Sequence, residues 1–465
     1  MFESGLLSPV TVGHDDQVSD AAVVDALVTV EVALARAYGA VGAAPADAVE
    51  TLASAFGWQG AERGCHGHGV DPAALASAAI DGGNPVIPLV KMLKQKAPDA
   101  AKAWVHRGAT SQDILDSALM VVARRAAGEI DASLRRVETA LATLARTHRD
   151  EVGAARTLTQ HAVPTTIGLR AANWLRGVRR ATDRLDAATR ALPAQLGGAG
   201  GTLAAFAEIG VAGDEDTAPE EFAAALSESF ASELLLAAPE APWHTTRWPV
   251  TELGDALVQV TDALGVIAAD VATASRTEIG ELAEGAGGGS SAMPQKQNPV
   301  DSVLVRSAAM RAPQLGATLH LGSALAVDER PDGAWHAEWP TLRELLRLVL
   351  GSGAHAAQLV EGLRVDSDAV ARNVALTGGL IVSERLSLVL GPLIGASRVS
   401  ELVAAAGRGE DLAALVKALP EASGIDVDAL LDPADYTGLA GRLVDAAVAE
   451  RERPTSHPTE AEQNT

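Results

Sequence analysis

One glycine-rich segment, residues 285–299, carries the residue types that most clearly suggest chemistry. It contains a pair of serines, Ser290 and Ser291, followed closely by Lys296 and Asn298. Four glycines within five residues make a helix unfavourable, so the segment predicts a mobile loop. Its backbone N–H groups, the lysine and the asparagine could hold an anion while a serine acts on the substrate. A flexible linker is the alternative, although linkers rarely combine Met-Pro, Lys and Asn-Pro.

A second polar segment, residues 105–118, reads VHRGATSQDILDSA and includes His106. Its Thr-Ser-Gln-Asp run is typical of a helix start, where Thr110 or Ser111 could cap and Asp113 could satisfy the first turn. Taken alone, the segment favours capping, and a single histidine is more often a surface or core residue than a catalyst. Capping and substrate binding are compatible, because helix N-termini also bind anions.

A third polar segment, residues 156–169, lies between two stretches with helical periodicity. Arg156, Thr157, Thr159, Gln160 and His161 could each bind a substrate oxygen atom. The alternative is a purely structural loop that ends in a proline-threonine cap. None of the three polar segments decides the function alone.

Three other patterns receive structural interpretations. Cys65, His66 and His68 resemble metal ligands but lack a fourth ligand at a suitable spacing, so no metal site is expected. The glycine-rich residues 197–202 follow a predicted helix and precede no lysine, so they do not form a nucleotide-binding loop. His336 lies between two tryptophans and is interpreted as a packing residue.

Long helices must position these polar segments. Stretches 130–144, 167–192, 299–325 and 340–363 show helical periodicity, and no segment alternates as a strand would. These lengths exceed the usual mean of roughly 11–12 residues, which is typical of a helical bundle. The fold class predicted is therefore all-α. The longest apolar seam alternates between spacings of three and four, at Val250, Leu253, Leu257, Val260, Leu264, Ile267, Val271 and Ala274.

Glycine and proline breaks divide the 465 residues into parts. We expect an N-terminal helical domain over 1–108, a central long-helix bundle over 109–362 and a C-terminal helical domain over 363–450. The polar, proline-containing residues 451–465 predict a disordered tail.

Composition restricts the partners and the compartment. The net charge of −23 opposes binding to nucleic acid and to anionic membranes. No apolar run free of charges is long enough to span a bilayer, and the N-terminus has no secretory pattern. The single cysteine cannot form an intrachain disulfide, which fits a reducing cytoplasm. We therefore expect a cytoplasmic protein.

Residues 289–299, Gly-Ser-Ser-Ala-Met-Pro-Gln-Lys-Gln-Asn-Pro, resemble the signature loop of the aspartase/fumarase superfamily. Residues 106–113, the Arg-Thr pair at 156–157 and residues 377–385 resemble further blocks of that superfamily. The resemblance implies a three-domain fold whose long helices form a twenty-helix core in a homotetramer, with active sites built from three subunits. It also implies chemistry beta to a carboxylate through an aci-carboxylate, whose extra charge needs preorganised donors.

At two positions the sequence differs from other members of the superfamily, and these differences narrow the choice of subfamily. Fumarases and adenylosuccinate lyases carry a histidine after the Arg-Thr pair and a glutamate five positions after the loop asparagine; here these are Leu158 and Val303. Protonating an amine or activating water needs such a dyad, whereas a substrate carboxylate leaves without protonation. Residues 195–206, 242–247 and 333–346 are also similar to bacterial carboxymuconate cycloisomerases.

The resemblance thus implies conversion of 3-carboxy-cis,cis-muconate, a small tricarboxylate, to 4-carboxymuconolactone in the protocatechuate branch of the beta-ketoadipate pathway. Ser290 is the first candidate for proton transfer and His106 the second. No cofactor or metal is implied. The alternatives are adenylosuccinate lyase, a related purine-pathway lyase, or a non-catalytic protein on the same scaffold. The expected substrate ligands are Thr110, Ser111, Arg156, Gln160, His161, Ser291, Lys296, Asn298 and Arg330.

Overall fold

The computed structural model describes residues 5–213, 218–285, 287–289, 293 and 295–449. Ser290, Ser291 and the predicted tail 451–465 lie outside these ranges. In chain order the helices are α1 (Asp20–Ala40), α2 (Ala46–Ala55), α3 (Pro72–Ala79), α4 (Val86–Lys96), α5 (Ser111–Thr147), α6 (Ile167–Arg190), α7 (Ala204–Gly213), α8 (Pro219–Leu234), α9 (Trp248–Ala274), α10 (Val300–Ala324), α11 (Gly333–Glu361), α12 (Ser367–Ala375), α13 (Ser383–Ile394), α14 (Ala396–Gly407), α15 (Leu412–Lys417), α16 (Val427–Leu431) and α17 (Ala440–Val448). The strands are β1 (Val152–Thr157), β2 (Gln160–Thr166), β3 (Leu282–Ala283) and β4 (Arg364–Val365).

The five long helices predicted from periodicity are confirmed as α5, α6, α9, α10 and α11. The seam of α9 is buried as expected, with Leu253, Leu257 and Val260 fully inaccessible to solvent. Burying each such side chain contributes about 1.5–3 kcal/mol relative to exposure, so the seam fixes the face that the helix presents to the core. The all-α fold class is confirmed.

The expectation that no strands occur was wrong for residues 152–166. Strands β1 and β2 pair in an antiparallel hairpin, with Thr157 opposite Gln160 and Val152 opposite Thr166. Two features hide the hairpin in the sequence. A register irregularity between Ala154 and Arg156 breaks the alternation, and the two-residue turn contains no glycine or asparagine.

One compact unit comprises Met1–Arg136, Val178–Asp270 and Gly288–Leu359. Within it, α1 packs against α8 and α2, and α7 packs against α8. Ser19 caps α1, because its Oγ accepts a hydrogen bond from the Ala22 N–H at 3.2 Å. The middle of α1 is buried almost without interruption, so this helix lies in the core of its unit.

The other compact unit comprises Val137–Gly177, Val271–Gly287 and Val360–Thr465. In this unit the β1–β2 hairpin packs against α12, and β3 pairs antiparallel with β4. Helices α13 to α16 surround a separate apolar cluster that includes Leu386, Leu390 and Val416. The predicted boundaries at residues 108 and 362 stay predictions.

Among the helices of the described ranges, α9 is long and apolar enough to cross a membrane by length and composition alone. A bent pair, Ser367–Ala375 with Leu380–Ile394, passes the same test only when both helices are counted as one span. The buried seam of α9 is the behaviour of a core helix in a globular protein.

Candidate active site

The start of α5 brings together three predicted substrate ligands, Thr110, Ser111 and Arg330. The Thr110 N–H donates to Asp113 Oδ2 at 3.0 Å, so Asp113 satisfies the first turn as the sequence predicts. The Thr110 hydroxyl is not the cap; it accepts a hydrogen bond from Nη2 of Arg330. The neighbouring Ser111 is partly exposed, and its hydroxyl has no hydrogen-bond partner among the described residues. The helix N-terminus and the arginine beside it make this end suited to an anion.

Arg330 connects the start of α5 to the glycine-rich segment 197–202. Besides Thr110, its Nη2 donates to the Ala199 carbonyl at 3.1 Å. Its Nε atom is buried and has no hydrogen-bond partner within the described ranges. An arginine with donors left over can still bind a carboxylate in the forked geometry that this side chain favours.

Asp113 holds the glycine-rich segment in place. Its carboxylate is fully buried and accepts the N–H of Gly197 at 2.8 Å and of Gly198 at 3.0 Å. His244 Nε2 lies 3.0 Å from Oδ1 of the same carboxylate. A side chain at position 197 would collide with the His244 ring and Pro242, and Gly198 has a φ of +72°. Position 197 therefore requires glycine because of close packing.

A buried ionic network supports α5 one turn further along. Arg247 Nη1 and Nη2 donate to the two oxygens of Asp116 at 2.7 and 3.0 Å. The same guanidinium donates to Glu338, and Trp335 Nε1 donates to Asp116 Oδ1 at 2.8 Å. Burial raises the pKa of Glu338 despite its pairing with Arg247. The network fixes the helix that presents Thr110 and Ser111.

His106 precedes this helix and has a defined partner. Its Nδ1 lies 2.7 Å from Oε1 of Glu31, which is 2% exposed in α1. The backbone at His106 is left-handed, with a φ of +59°. Burial lowers the pKa of His106, but the charge and hydrogen bond of Glu31 outweigh burial, so the pKa is raised above its ordinary value. The sequence interpretation missed Glu31.

The hairpin tip lies in the other unit and carries Gln160 and His161. Leu158 and Thr159 form the turn with φ values of +49° and +73°, and Leu158 is 96% exposed. Gln160 is exposed, and its Nε2 reaches only Thr159 Oγ1, at 3.4 Å. The Nδ1 of His161 is buried and has no partner among the described residues. Burial lowers the pKa of His161, and the nearby Arg156 lowers it further.

Arg156 was predicted to bind substrate, but in this structure its two terminal nitrogens donate hydrogen bonds to the carboxylate of Glu281. Nη1 and Nη2 donate to the two oxygens of Glu281 at 2.9 and 2.5 Å. Asn373 Nδ2 donates to Glu281 at 2.9 Å, and Arg170 lies 3.6 Å from it. Burial raises the pKa of Glu281, but these donors outweigh burial and hold it below its ordinary value. Sequence spacing gave no sign of Glu281, and substrate binding by Arg156 stays a prediction.

The predicted anion-binding loop is described only in part. Its two ends are joined by backbone hydrogen bonds in both directions between Gly288 and Asn298, at 2.9 and 2.8 Å. Asn298 Nδ2 also donates to the Gly289 carbonyl at 3.4 Å, and the Lys296 side chain is exposed. The predicted catalytic Ser290 and the ligand Ser291 lie outside the described residues.

Two of the minor interpretations can be examined directly. His336 is exposed, lies against the rings of Trp335 and Trp339, and has its Nε2 2.9 Å from the Gly83 carbonyl, so its packing role stays an interpretation. His66 Nδ1 and His68 Nε2 lie 2.7 and 2.8 Å from the two oxygens of one carboxylate, that of Asp25. Within the described ranges, no three histidine, cysteine or carboxylate side chains are grouped to hold a metal.

The start of α5 combines a helix N-terminus with Arg330, an arrangement suited to binding a small anion. Comparison with known proteins gives the class of protein. Residues 74–313 match the family model described as "Lyase". The chain is 45% identical to a nitrosuccinate lyase of Streptomyces davaonensis, over 99% of this chain and 98% of that protein. It is 41% identical to a 3-carboxy-cis,cis-muconate cycloisomerase of Pseudomonas aeruginosa, over 93% of each chain.

Solved structures give the same result. The 3-carboxy-cis,cis-muconate lactonizing enzyme of Pseudomonas putida superposes with a TM-score of 0.81 at 35% identity, covering 92% of this chain and 94% of that one. A fumarate lyase from a Mesorhizobium species superposes with a TM-score of 0.80 at 30% identity, covering 94% and 97%. The chain therefore belongs to the lyase family, and the resemblance to its carboxymuconate-cycloisomerising members is confirmed.

Proposed function

We propose that the chain is a cycloisomerase that converts 3-carboxy-cis,cis-muconate to 4-carboxymuconolactone. The observation that carries this proposal is the character of positions 158 and 303. Leu158 is 96% exposed and Val303 is 54% exposed, and neither can move a proton. An enzyme whose departing or attacking group is already an anion needs no acid or base at those positions. The relatives that act on carboxymuconate support the same substrate.

In this reaction one substrate carboxylate oxygen attacks a diene carbon and closes the lactone ring. The displaced electron pair moves onto the carboxylate at the far end of the double bond, which becomes an aci-carboxylate. Lys296, Asn298 and Arg330 stabilise that charge, and a proton delivered to the alpha carbon completes the isomerisation. Ser290 is the first candidate for the proton transfer and His106 the second. All atoms of the substrate are retained in the product.

A second candidate is the elimination of nitrite from nitrosuccinate, which the 45% identity over 99% of the chain favours. A base removes a proton alpha to one carboxylate, and the carbon–nitrogen bond breaks to release nitrite and an unsaturated dicarboxylate. Nitrite, like a carboxylate, leaves without protonation. The aliphatic residues at positions 158 and 303 therefore fit this reaction equally well.

We further propose that the enzyme is a cytoplasmic homotetramer. Helix α10 exposes Val303, Met310 and Leu321 at 54%, 73% and 62%, with spacings of seven and eleven residues that repeat along one side of a helix. Large apolar side chains exposed along one helix fit contact with another copy of the chain. We expect Met310→Glu to shift the mass in light scattering from tetramer towards smaller species, while exposed Ser397→Ala leaves it unchanged.

The experiment that tests the function is a spectrophotometric assay with 3-carboxy-cis,cis-muconate, nitrosuccinate and adenylosuccinate in parallel. We expect loss of the diene absorbance, abolished by Ser290→Ala and retained in Ser397→Ala, whose side chain is exposed on α14. Nitrite release from nitrosuccinate, without diene loss, would replace the first proposal by the second. Turnover of adenylosuccinate alone would contradict both.

A further inference from the structure

Glu31 is an acidic residue in a part of the molecule that otherwise excludes charge. On α1 the residues around it, from Ala26 to Ala35, are buried, and Glu31 itself is 2% exposed. A carboxylate is almost never fully buried unless a partner compensates its charge. The identity of that partner therefore shows what the residue does.

The partner is the ring of His106, 75 positions away along the chain. The 2.7 Å contact joins His106 Nδ1 to Glu31 Oε1, while Glu31 Oε2 is buried and has no hydrogen-bond partner among the described residues. A purely structural buried carboxylate usually has both oxygens satisfied. Here a single contact, to the imidazole, accounts for all of its hydrogen bonding.

This contact determines which ring nitrogen of His106 carries a proton. Because Nδ1 donates to the carboxylate, a neutral His106 would have an accepting Nε2, and only the cation has an Nε2–H. The other charged groups close enough to matter are Asp113 on α5, which favours the cation, and Lys94 on α4, which opposes it. Two carboxylates against one ammonium favour the charged ring.

The free edge of that ring faces no competing partner. The His106 side chain is 18% exposed, and the structure gives its Nε2 no hydrogen-bond partner within the described ranges. The backbone at His106 is left-handed, with a φ of +59°, a conformation that surrounding contacts must stabilise. His106 lies four residues before Thr110, in the segment that leads into the anion-binding start of α5.

We propose that Glu31 is a positioning residue that keeps His106 cationic, so that its Nε2–H binds a carboxylate of the substrate. This inference rests on the proposed function only in that the substrate is a small polycarboxylate. It adds a charged group to the site and assigns a role to an acidic residue that never touches the substrate. Either substrate considered above would use it.

The first arm of the test measures the proton directly. Protein labelled at histidine Cε1 is titrated by NMR, and the His106 signal is identified by its absence in His106→Gln. We expect a midpoint above the ordinary 6.5 in the wild type and a fall of about one pH unit or more in Glu31→Gln. Glu233→Gln, which breaks the ion pair with Arg36 on the same helix α1, is the control and leaves the His106 midpoint unchanged.

The second arm measures carboxylate binding with tricarballylate, an unreactive tricarboxylate, by calorimetry across pH. We expect wild-type affinity to fall as pH rises through the His106 midpoint. In Glu31→Gln we expect about tenfold weaker binding at neutral pH, with partial recovery in Glu31→Asp. His106→Gln should bind weakly with no such pH dependence, which provides the test should Glu31→Gln fail to fold.

An unchanged His106 midpoint in Glu31→Gln would overturn the positioning role. A shifted midpoint with unaltered tricarballylate affinity, or no tricarballylate binding to the wild type, would overturn the carboxylate-binding role. Because neither arm measures turnover, both can succeed while the cycloisomerase and nitrite-elimination assays fail. The two proposals are therefore contradicted by different results.

Discussion

His106 and His161 are both candidate site histidines, yet their surroundings shift their pKa values in opposite directions. His106 has a buried carboxylate to itself, and its pKa is raised. His161 also lies near a buried carboxylate, Glu281, but its pKa is lowered. The difference lies in what else each carboxylate binds. Glu281 binds Arg156 and Asn373 and lies near Arg170, whereas Glu31 has His106 as its hydrogen-bond partner among the described residues.

The comparison shows that a nearby acid does not by itself make a histidine cationic. At His161, burial and the charge of Arg156 both lower the pKa, and together they outweigh the opposing charge of Glu281. The surroundings of His106 therefore favour the cation, and those of His161 favour the neutral ring, whose buried Nδ1 has no hydrogen-bond partner among the described residues.

The largest expected effect is on catalysis. His106→Gln should lower kcat/KM for the accepted substrate by about 100-fold, mainly through KM, because a charged hydrogen bond is lost. His161→Gln should lower it by about tenfold, the effect of losing a neutral one. Steady-state kinetics of the two variants side by side checks this, and equal losses would remove the distinction between the histidines.

The next effect is on stability. Arg156→Met should lower the free energy of unfolding by about 2–3 kcal/mol, since it removes the main partner of buried Glu281. It should also raise the pKa of His161, because the neighbouring cation is gone. Urea denaturation and histidine NMR measure the two changes. The control variant Arg190→Met breaks an exposed ion pair with Asp186 and should lower the free energy of unfolding by less than about 0.5 kcal/mol. A similar loss of stability in both variants would contradict the prediction.

The stabilisation contributed by His106 should fall as pH rises, whereas that contributed by His161 should fall as pH drops. Because the folded pKa of His106 is raised, its stabilisation is present below the unfolded value near 6.5 and is lost as pH rises through the folded pKa. The difference between wild type and His106→Gln should therefore shrink on raising pH.

Because the folded pKa of His161 is lowered, its favourable contribution is present above the unfolded pKa and is lost as pH falls through the folded value. The difference between wild type and His161→Gln should therefore shrink on lowering pH. Denaturation curves at several pH values measure both trends, and slopes of the same sign would show that one ring has been assigned the wrong charge.

The smallest effect concerns the turn beside His161. Thr159 is exposed and beta-branched with a φ of +73°, so Thr159→Gly should raise the free energy of unfolding by about 0.5 kcal/mol. Thr143→Gly, at an exposed helical position of α5, should instead lower it by about 0.5 kcal/mol. A destabilising effect at position 159 would mean that another contact holds the turn.

The long helices and the contact of Asp113 with the first turn of α5 were predictable, because periodicity and local contacts at a helix start are encoded within a few neighbouring residues, although the expected cap by Thr110 or Ser111 was not found. The hairpin was not, since Leu158 and Thr159 replace the usual turn residues. Nor were the ionic partners: Glu31 meets His106, and Glu281 meets Arg156, across 75 and 125 positions that only tertiary packing joins. A lone acid in the apolar run of α1 was the one available signal.

Asp113 has a consequence for the order in which the chain folds. Its carboxylate joins its own helix start to Gly197, 84 positions on, and to His244, 131 positions on. Contacts this distant in sequence form late, because long loops must close before the contact can stabilise them. The Thr110 end of α5 therefore acquires its final shape only after the chain has been synthesised beyond residue 244. In a nascent chain that ends before residue 197, Asp113 lacks its hydrogen-bond partners Gly197, Gly198 and His244.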